Sequence, residues 1–147
     1  TTPSAWNDPA KGAELTKSQI DRGADVVYHA AGGTGMGVIQ AAVDSGKLAI
    51  GVDSNQNGIA PGSVLTSMLK RVDVAAYETF MDAKNGTFSS GIRVLGIAEG
   101  GVDWAVDDNN ASLITDKIKS AVETARSDIL SGKVAVHNYE SDSSCPY

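Results

Sequence analysis

The sequence predicts an α/β lobe: a mostly parallel sheet with helices on both faces. Three observations carry that prediction. Short β-rich runs alternate with stretches of helical period through most of the chain, the pattern of strand–helix–strand units. Residues 48–52, Leu-Ala-Ile-Gly-Val, form an uninterrupted apolar run, as a strand buried on both faces requires. A glycine cluster, Gly32-Gly33-Thr34-Gly35-Met36-Gly37, stands between a strand candidate and a helix candidate, where a chain must turn sharply.

The elements follow in order. Asn7-Asp8-Pro9 supplies a cap and a proline at the first helical position, where the missing N–H is harmless. The first helix should run to Arg22 and end at Gly23. Residues 25–29 (Asp-Val-Val-Tyr-His) read as a strand, residues 34–44 as a second helix stopped near Gly46, and residues 48–52 as the buried strand. Residues 53–62 are polar and contain Pro61, so they form a loop, and residues 64–68 a third strand. Residues 72–83 read as a helix with Val72, Ala75, Ala76, Phe80 and Ala83 on one face, ended by Asn85-Gly86. Residues 92–98 read as a strand; Glu99-Gly100-Gly101 then turns into residues 102–106. The last helix should span residues 112–130, with Ile114, Ile118, Ala121, Val122, Ala125 and Ile129 at a 3.6-residue period. Residues 134–136 read as a short strand. Residues 1–137 are expected to form one lobe and residues 138–147 a polar surface tail.

At 147 residues, 41% hydrophobic and 20% charged, the chain has the composition of one folded domain and not of a disordered one. A net charge of −6 repels phosphate backbones, and Lys70-Arg71 is the longest basic run, so no nucleic-acid partner is expected. The lone cysteine, Cys145, excludes an internal disulfide framework. No apolar run approaches the ~18 residues of a membrane span. The opening Thr1-Thr2-Pro3, with neither initiator Met nor signal peptide, reads as a processed, clipped or truncated product.

In open α/β sheets, ligands sit outside the carboxyl ends of the strands. Residues 31–37, 53–56 and 67–70 all fall there and should converge on one cleft. The glycine cluster is either a tight turn with close helix packing or a loop whose backbone contacts a ligand. It fails the dinucleotide spacing G-x-G-x-x-G, because Val38 or Gln40 stands at the last position, and it lacks the G-K-[ST] of a phosphate loop. Asp53 follows directly on the buried run. A carboxylate there can accept two hydrogen bonds from the vicinal hydroxyls of a ribose; otherwise it caps its own loop. Lys70 can point a cation into the cleft, and Trp6, just ahead of the first helix, can stack on a planar ring or pack back as a hydrophobic staple.

His29 and His137 have no partners at metal-ligand spacing and read as satisfied structural histidines, so no metal or cofactor site is expected. Asp107-Asp108 reads as solvated or capping. Asn85-Gly86-Thr87 and Asn110-Ala111-Ser112 match the glycosylation sequon, a pattern common by chance. No nucleophile meets a base. The constellation is one for binding, not catalysis.

Four ordered segments carry a resemblance: Gly23-Ala24-Asp25-Val26-Val27, Ala31-Gly32-Gly33-Thr34-Gly35-Met36-Gly37, Ile50-Gly51-Val52-Asp53-Ser54-Asn55-Gln56 and Leu65-Thr66-Ser67-Met68-Leu69-Lys70-Arg71-Val72-Asp73. Together, from Trp6 to Val136, they resemble the basic membrane protein family, the PnrA-like nucleoside-binding lipoproteins. These are substrate-binding components of ABC importers. The resemblance implies a three-layer Rossmann-like lobe of the type I periplasmic-binding fold. It also implies a purine nucleoside ligand, a transporter permease as partner, and a periplasmic or cell-surface location with a lipid anchor on the full-length protein. At matching positions it implies that Trp6 stacks on the base, Gly32 offers a backbone contact, Asp53 holds the ribose hydroxyls and Lys70 touches the ligand.

The chain departs from that family in length. It resembles the C-terminal lobe alone; the N-terminal lobe, with its lipid-bearing cysteine, is missing and could be present as a separate fragment. The rival reading is a small Rossmann-like NAD-binding or oxidoreductase domain using Asp53 on an adenosine ribose, against which the failed glycine spacing counts. A regulatory sensor on the same sheet would need an attached DNA-binding or signalling segment, and none is seen.

Overall fold

The computed structural model describes residues 3–144; Cys145 and the extreme ends of the chain lie outside them. Two compact units divide the chain, Thr1–Thr115 and Asp116–Tyr147.

The first unit opens with a 3-10 turn, Pro3–Asn7, and helix α1, Pro9–Asp21. The Asp8 side chain caps α1 by accepting from the Lys11 N–H at 2.9 Å, with Pro9 at the first position, as the sequence predicts. Strand β1, Val26–Tyr28, leads through a second 3-10 turn, Gly32–Thr34, into α2, Gly35–Asp44. Strand β2, Leu48–Asp53, and β3, Val64–Lys70, follow, then α3, Val72–Asn85, and β4, Val102–Trp104. The sheet order is β1-β2-β3-β4, with β1, β2 and β3 parallel and β4 antiparallel to β3. Helix α2 packs on β1 and β2, and α1 packs on α2. The core cluster is Ile39, Ala42, Ala49 and Val64, with Val43 and Ala60 against it. It lies where the apolar face of α2 meets β2 and β3; Ala49, Gly51 and Val52 of the run at residues 48–52 are buried as predicted, whereas Leu48 and Ile50 are only half-buried.

Strands β3 and β4 pair end to end: Lys70 lies opposite Val102, and the Arg71 N–H donates to the Gly101 carbonyl at 2.9 Å. The chain therefore leaves the sheet at Arg71 and re-enters it at the neighbouring position. Helix α3 forms where the sequence predicts it, although it has no buried residue and Val72 and Phe80 stand 64% and 75% exposed. One expectation fails inside that excursion. Residues 92–98 are not a strand. The Arg93 guanidinium ties them to α3 through Asp82 at 2.8 Å and Glu78 at 3.1 Å, and Gly96-to-Gly101 closes as turns, with the Gly101 N–H on the Gly96 carbonyl at 2.8 Å. Strand-forming side chains make a strand only beside another strand's edge, and no ladder bonds form here; Ile92 is 97% exposed.

The second unit holds α4, Asp116–Leu130, and the short helix α5, Tyr139–Asp142. Helix α4 begins four residues later than predicted, because residues 107–114 are occupied by turns around the buried Asn110. Residues 134–136 are not a strand either. The Val134 N–H returns to the Asp128 carbonyl at 3.0 Å, capping α4.

Candidate functional site

The three segments predicted to converge do so. Trp6, Gly32, Asp53 and Lys70 line one cleft of about 390 Å³ with Tyr28, Ala30, Ala31, Val52 and Met68. Strand β2 delivers Asp53 and β3 delivers Lys70, each as the last residue at its strand's carboxyl end. The parallel register sets Asp53 opposite Leu69, so the Lys70 ammonium reaches the Asp53 Oδ1 at 2.9 Å. Both side chains are more than half exposed, so water screens the pair, which contributes at most ~1 kcal/mol to stability. Its value is positional: a carboxylate and an ammonium are held side by side at the cleft mouth. Trp6, 52% exposed, and Tyr28, 56% exposed, present aromatic surface to the same space. Tyr28 was not singled out in the sequence. Its signal is its place at the carboxyl end of β1, outward of the buried Val27. A hollow of about 360 Å³ adjoins on the other side of Trp6, lined by Ser4, Lys11 and Leu15 among others. Its one carboxylate, Asp8, is engaged in capping α1, and neither Asp53 nor Lys70 lines it.

The glycine cluster turns out to serve packing as well as lining the cleft. Gly32 has φ +54°, and a Cβ there would stand 3.1 Å from the Trp6 carbonyl and 3.3 Å from its ring. Gly33 faces the Asn7 side chain, Gly35 the His29 ring and Gly37 the Pro9 carbonyl. The space a pyrophosphate would need at the α2 N-terminus is filled by the chain's own first turn. Thr34, buried, fixes that arrangement: its hydroxyl donates to the Ala5 carbonyl at 2.6 Å and accepts from the Asp8 N–H at 2.7 Å. The segment carrying Trp6 is thereby stapled across the loop. Gly32→Ala should cost about 1–2 kcal/mol through its positive φ and displace the Trp6 ring. The checks are a lowered urea midpoint and a shifted Trp6 emission in a variant lacking Trp104.

His29 departs from the satisfied histidine expected. It is 5% exposed, and neither ring nitrogen makes a hydrogen bond of good geometry, although the Gln56 side chain lies near the ring. Burial holds its pKa below the ordinary 6.5; the Asp53 carboxylate and the Gln56 side chain offset this in part. The unfolded chain takes up this proton near pH 6.5 and the folded chain only at lower pH. Stability is therefore intact above that value and declines as pH falls below it. A urea midpoint lower at pH 5.5 than at pH 7.5, with a shallower slope in His29→Gln, is the expected result.

Asp107 also departs from expectation. It is neither freely solvated nor a helix cap. Its Oδ2 accepts from Asn55 at 2.6 Å and from Asn57 at 3.2 Å, and its Oδ1 from the Asn109 N–H at 2.7 Å. These donors, the Asn55 amide first, hold its carboxyl below the usual range. Asn110, in the second sequon, is wholly buried, with its amide on the Leu65 carbonyl at 2.9 Å and the Ala105 carbonyl at 3.0 Å. It is inaccessible to a glycosylating enzyme in the folded chain.

Comparisons with known proteins bear on this geometry. Residues 3–137 match the family model of PnrA-like ABC transporter substrate-binding proteins. The ABC transporter nucleoside-binding protein BmpA of Lactococcus lactis subsp. cremoris is 35% identical over 150 residues, covering 90% of this chain and 41% of that protein. An uncharacterized lipoprotein of Pyrococcus abyssi is 37% identical over 109 residues, covering 69% of this chain and 27% of that protein. Among solved structures, an ABC transporter solute-binding protein from Aeropyrum pernix superposes with a TM-score of 0.76 at 24% identity, over 92% of this chain and 47% of that one. That likeness shows the fold. The chain spans less than half the length of each of these relatives. The match runs through the cleft-forming segments and nearly the whole described chain: the chain belongs to the family of PnrA-like ABC transporter substrate-binding proteins.

Proposed function

We propose that this lobe binds a purine nucleoside, or a similar ribosyl ligand, as part of a substrate-binding protein that serves an ABC importer and performs no chemistry on its cargo. The observation that carries the reading is the Asp53–Lys70 pair, 2.9 Å apart, at the mouth of a cleft walled by Trp6 and Tyr28. The Asp53 carboxylate accepts hydrogen bonds from the ribose 2′- and 3′-hydroxyls. Lys70 steadies the carboxylate and donates to the ligand, and Trp6 stacks on the base. The relative from L. lactis named for nucleoside binding supports the ligand class. The complete polypeptide carries a second lobe that closes over the open side, works with a membrane permease, and sits at the cell surface or in the periplasm on a lipid anchor, as relatives named lipoproteins suggest.

Native mass spectrometry of the protein as isolated, followed by titration of Trp6 fluorescence, tests this. A retained nucleoside-sized mass, and quenching by purine ribonucleosides at least about tenfold tighter than by their 2′-deoxy analogues, is expected, since one charge-assisted hydrogen bond is worth about 1.5–3 kcal/mol. A response to NAD with none to free nucleosides would sink the reading in favour of a dinucleotide.

A further inference from the structure

Asp53 sits in a conformation that its sequence does not favour. Its φ is +66°, and the Ser54 N–H donates to the Val52 carbonyl at 2.8 Å. That bond closes a three-residue turn centred on Asp53. Turns of this kind with a positive central φ are rare and strained, and they persist only where their surroundings over-determine them. The surroundings are on display. The Gln56 side chain folds back under β2, where its Oε1 accepts from the Val52 N–H at 2.8 Å. Gly51 makes room for it: a Cβ there would stand 2.8 Å from the Gln56 Cβ and 2.9 Å from its Oε1. The Gln56 N–H donates to the Ser67 hydroxyl at 2.9 Å, which donates to the Asn57 Oδ1 at 2.8 Å, and both Ser67 and Asn57 are fully buried. Asn57 continues to Asp107, which also holds Asn55, while the Asn57 N–H returns to the Asn55 Oδ1 at 3.0 Å.

None of Gln56, Asn57, Ser67 and Asp107 lines the cleft. Their bonds reach the backbone on either side of Asp53 and leave its carboxylate free to meet Lys70. We propose that Gln56, braced by buried Ser67 and Asn57 and, through them, by half-buried Asp107, is a positioning residue that holds Asp53 in its strained turn and so aims the carboxylate at the ligand's paired hydroxyls. Relaxation of the Asp53 backbone to an ordinary negative φ would swing the carboxylate away from Lys70 and spoil a two-point contact before a one-point contact. The strain thus sets selectivity for a diol over a single hydroxyl. The statement about hydroxyls rests on the function proposed above; the statement about the turn does not.

The test uses this chain with Gln56→Ala and Gln56→Glu, the second keeping an acceptor beneath Val52. Two quantities are read. One, without ligand, is hydrogen exchange at the Val52 and Ser54 amides. The other is the affinity ratio of a purine ribonucleoside to its 2′-deoxy analogue, measured where each variant is fully folded. Gln56→Ala is expected to accelerate exchange at both amides and to reduce the ratio about tenfold, and Gln56→Glu to restore protection at both. If Gln56→Ala does not fold, Asn55→Ala, which removes an exposed brace on Asp107, should lower the ratio about threefold. A variant that only lowers thermal stability, with the ratio and the Ser54 protection unchanged, makes Gln56 a structural residue and overturns the proposal. A wild-type chain with no preference for the ribonucleoside removes the diol reading. The amide exchange then still decides whether Gln56 holds the turn.

Discussion

Replacing Asp53 with alanine is expected to abolish ribonucleoside binding in the complete polypeptide. On the proposed function the carboxylate would accept two charge-assisted hydrogen bonds from the ribose, and their loss would amount to about 3–5 kcal/mol, or roughly 100- to 4,000-fold in affinity. Stability should hardly register the lost ion pair with Lys70, because both partners are more than half exposed. Asp53→Gly separates function from fold more sharply. Glycine occupies the +66° backbone without penalty, so this variant should lose binding as completely while its melting temperature stays level or rises, by the equivalent of about 1 kcal/mol at most. Calorimetric titration and thermal melts on both variants decide. Undiminished affinity in either would end the diol role of Asp53.

Gly37→Ala should be the most damaging change far from any ligand contact. A Cβ at this position would overlap the Pro9 carbonyl, backbone against backbone, at the crossing of α1 and α2. Neither partner is the end of a flexible side chain, so the two helices must part. A cost of about 3 kcal/mol is expected, at the upper end for overpacking, with a fall in melting temperature of about 10 °C. The Thr34 hydroxyl holds the Trp6 segment across the same junction, so the Trp6 emission should shift with the loss of stability. A variant as stable as the parent would mean that α1 does not press on α2 as described.

Much of this was legible in the sequence where signals are local. Asp8 and Pro9 announce α1, the apolar run at residues 48–52 announces β2, and the rule for carboxyl ends of parallel strands places Asp53 and Lys70 together. Residues 92–98 were misread because a strand is a relation between two chain segments; β-branched residues supply only one of them. The periodicity of α3 identifies its helix and its apolar face but not what covers that face, which the structure leaves exposed. The polar network behind Asp53 was invisible from the start. Asn55, Gln56, Asn57 and Asp107 are what an exposed loop would also contain. Only the tertiary meeting of residues 55–57 with Ser67 and Asp107 shows that some of them are buried and fully employed. His29 carries the opposite error: a histidine expected to be satisfied is buried with no well-formed hydrogen bond to either nitrogen.

The pairing of Lys70 with Val102 makes everything between Arg71 and Gly101 a cassette inserted at the tip of a hairpin. Antiparallel neighbours can be joined by two residues. The sheet therefore does not need the cassette for its connectivity, and an Asn-Gly splice across that gap would leave β1 to β4 in their order. Grafting and chain permutation are natural at such a point. The part of the chain that exposes Phe80, Ile92 and Val94 can thus be exchanged or removed as a module, while the cleft of Asp53 and Lys70 stays on the sheet that remains.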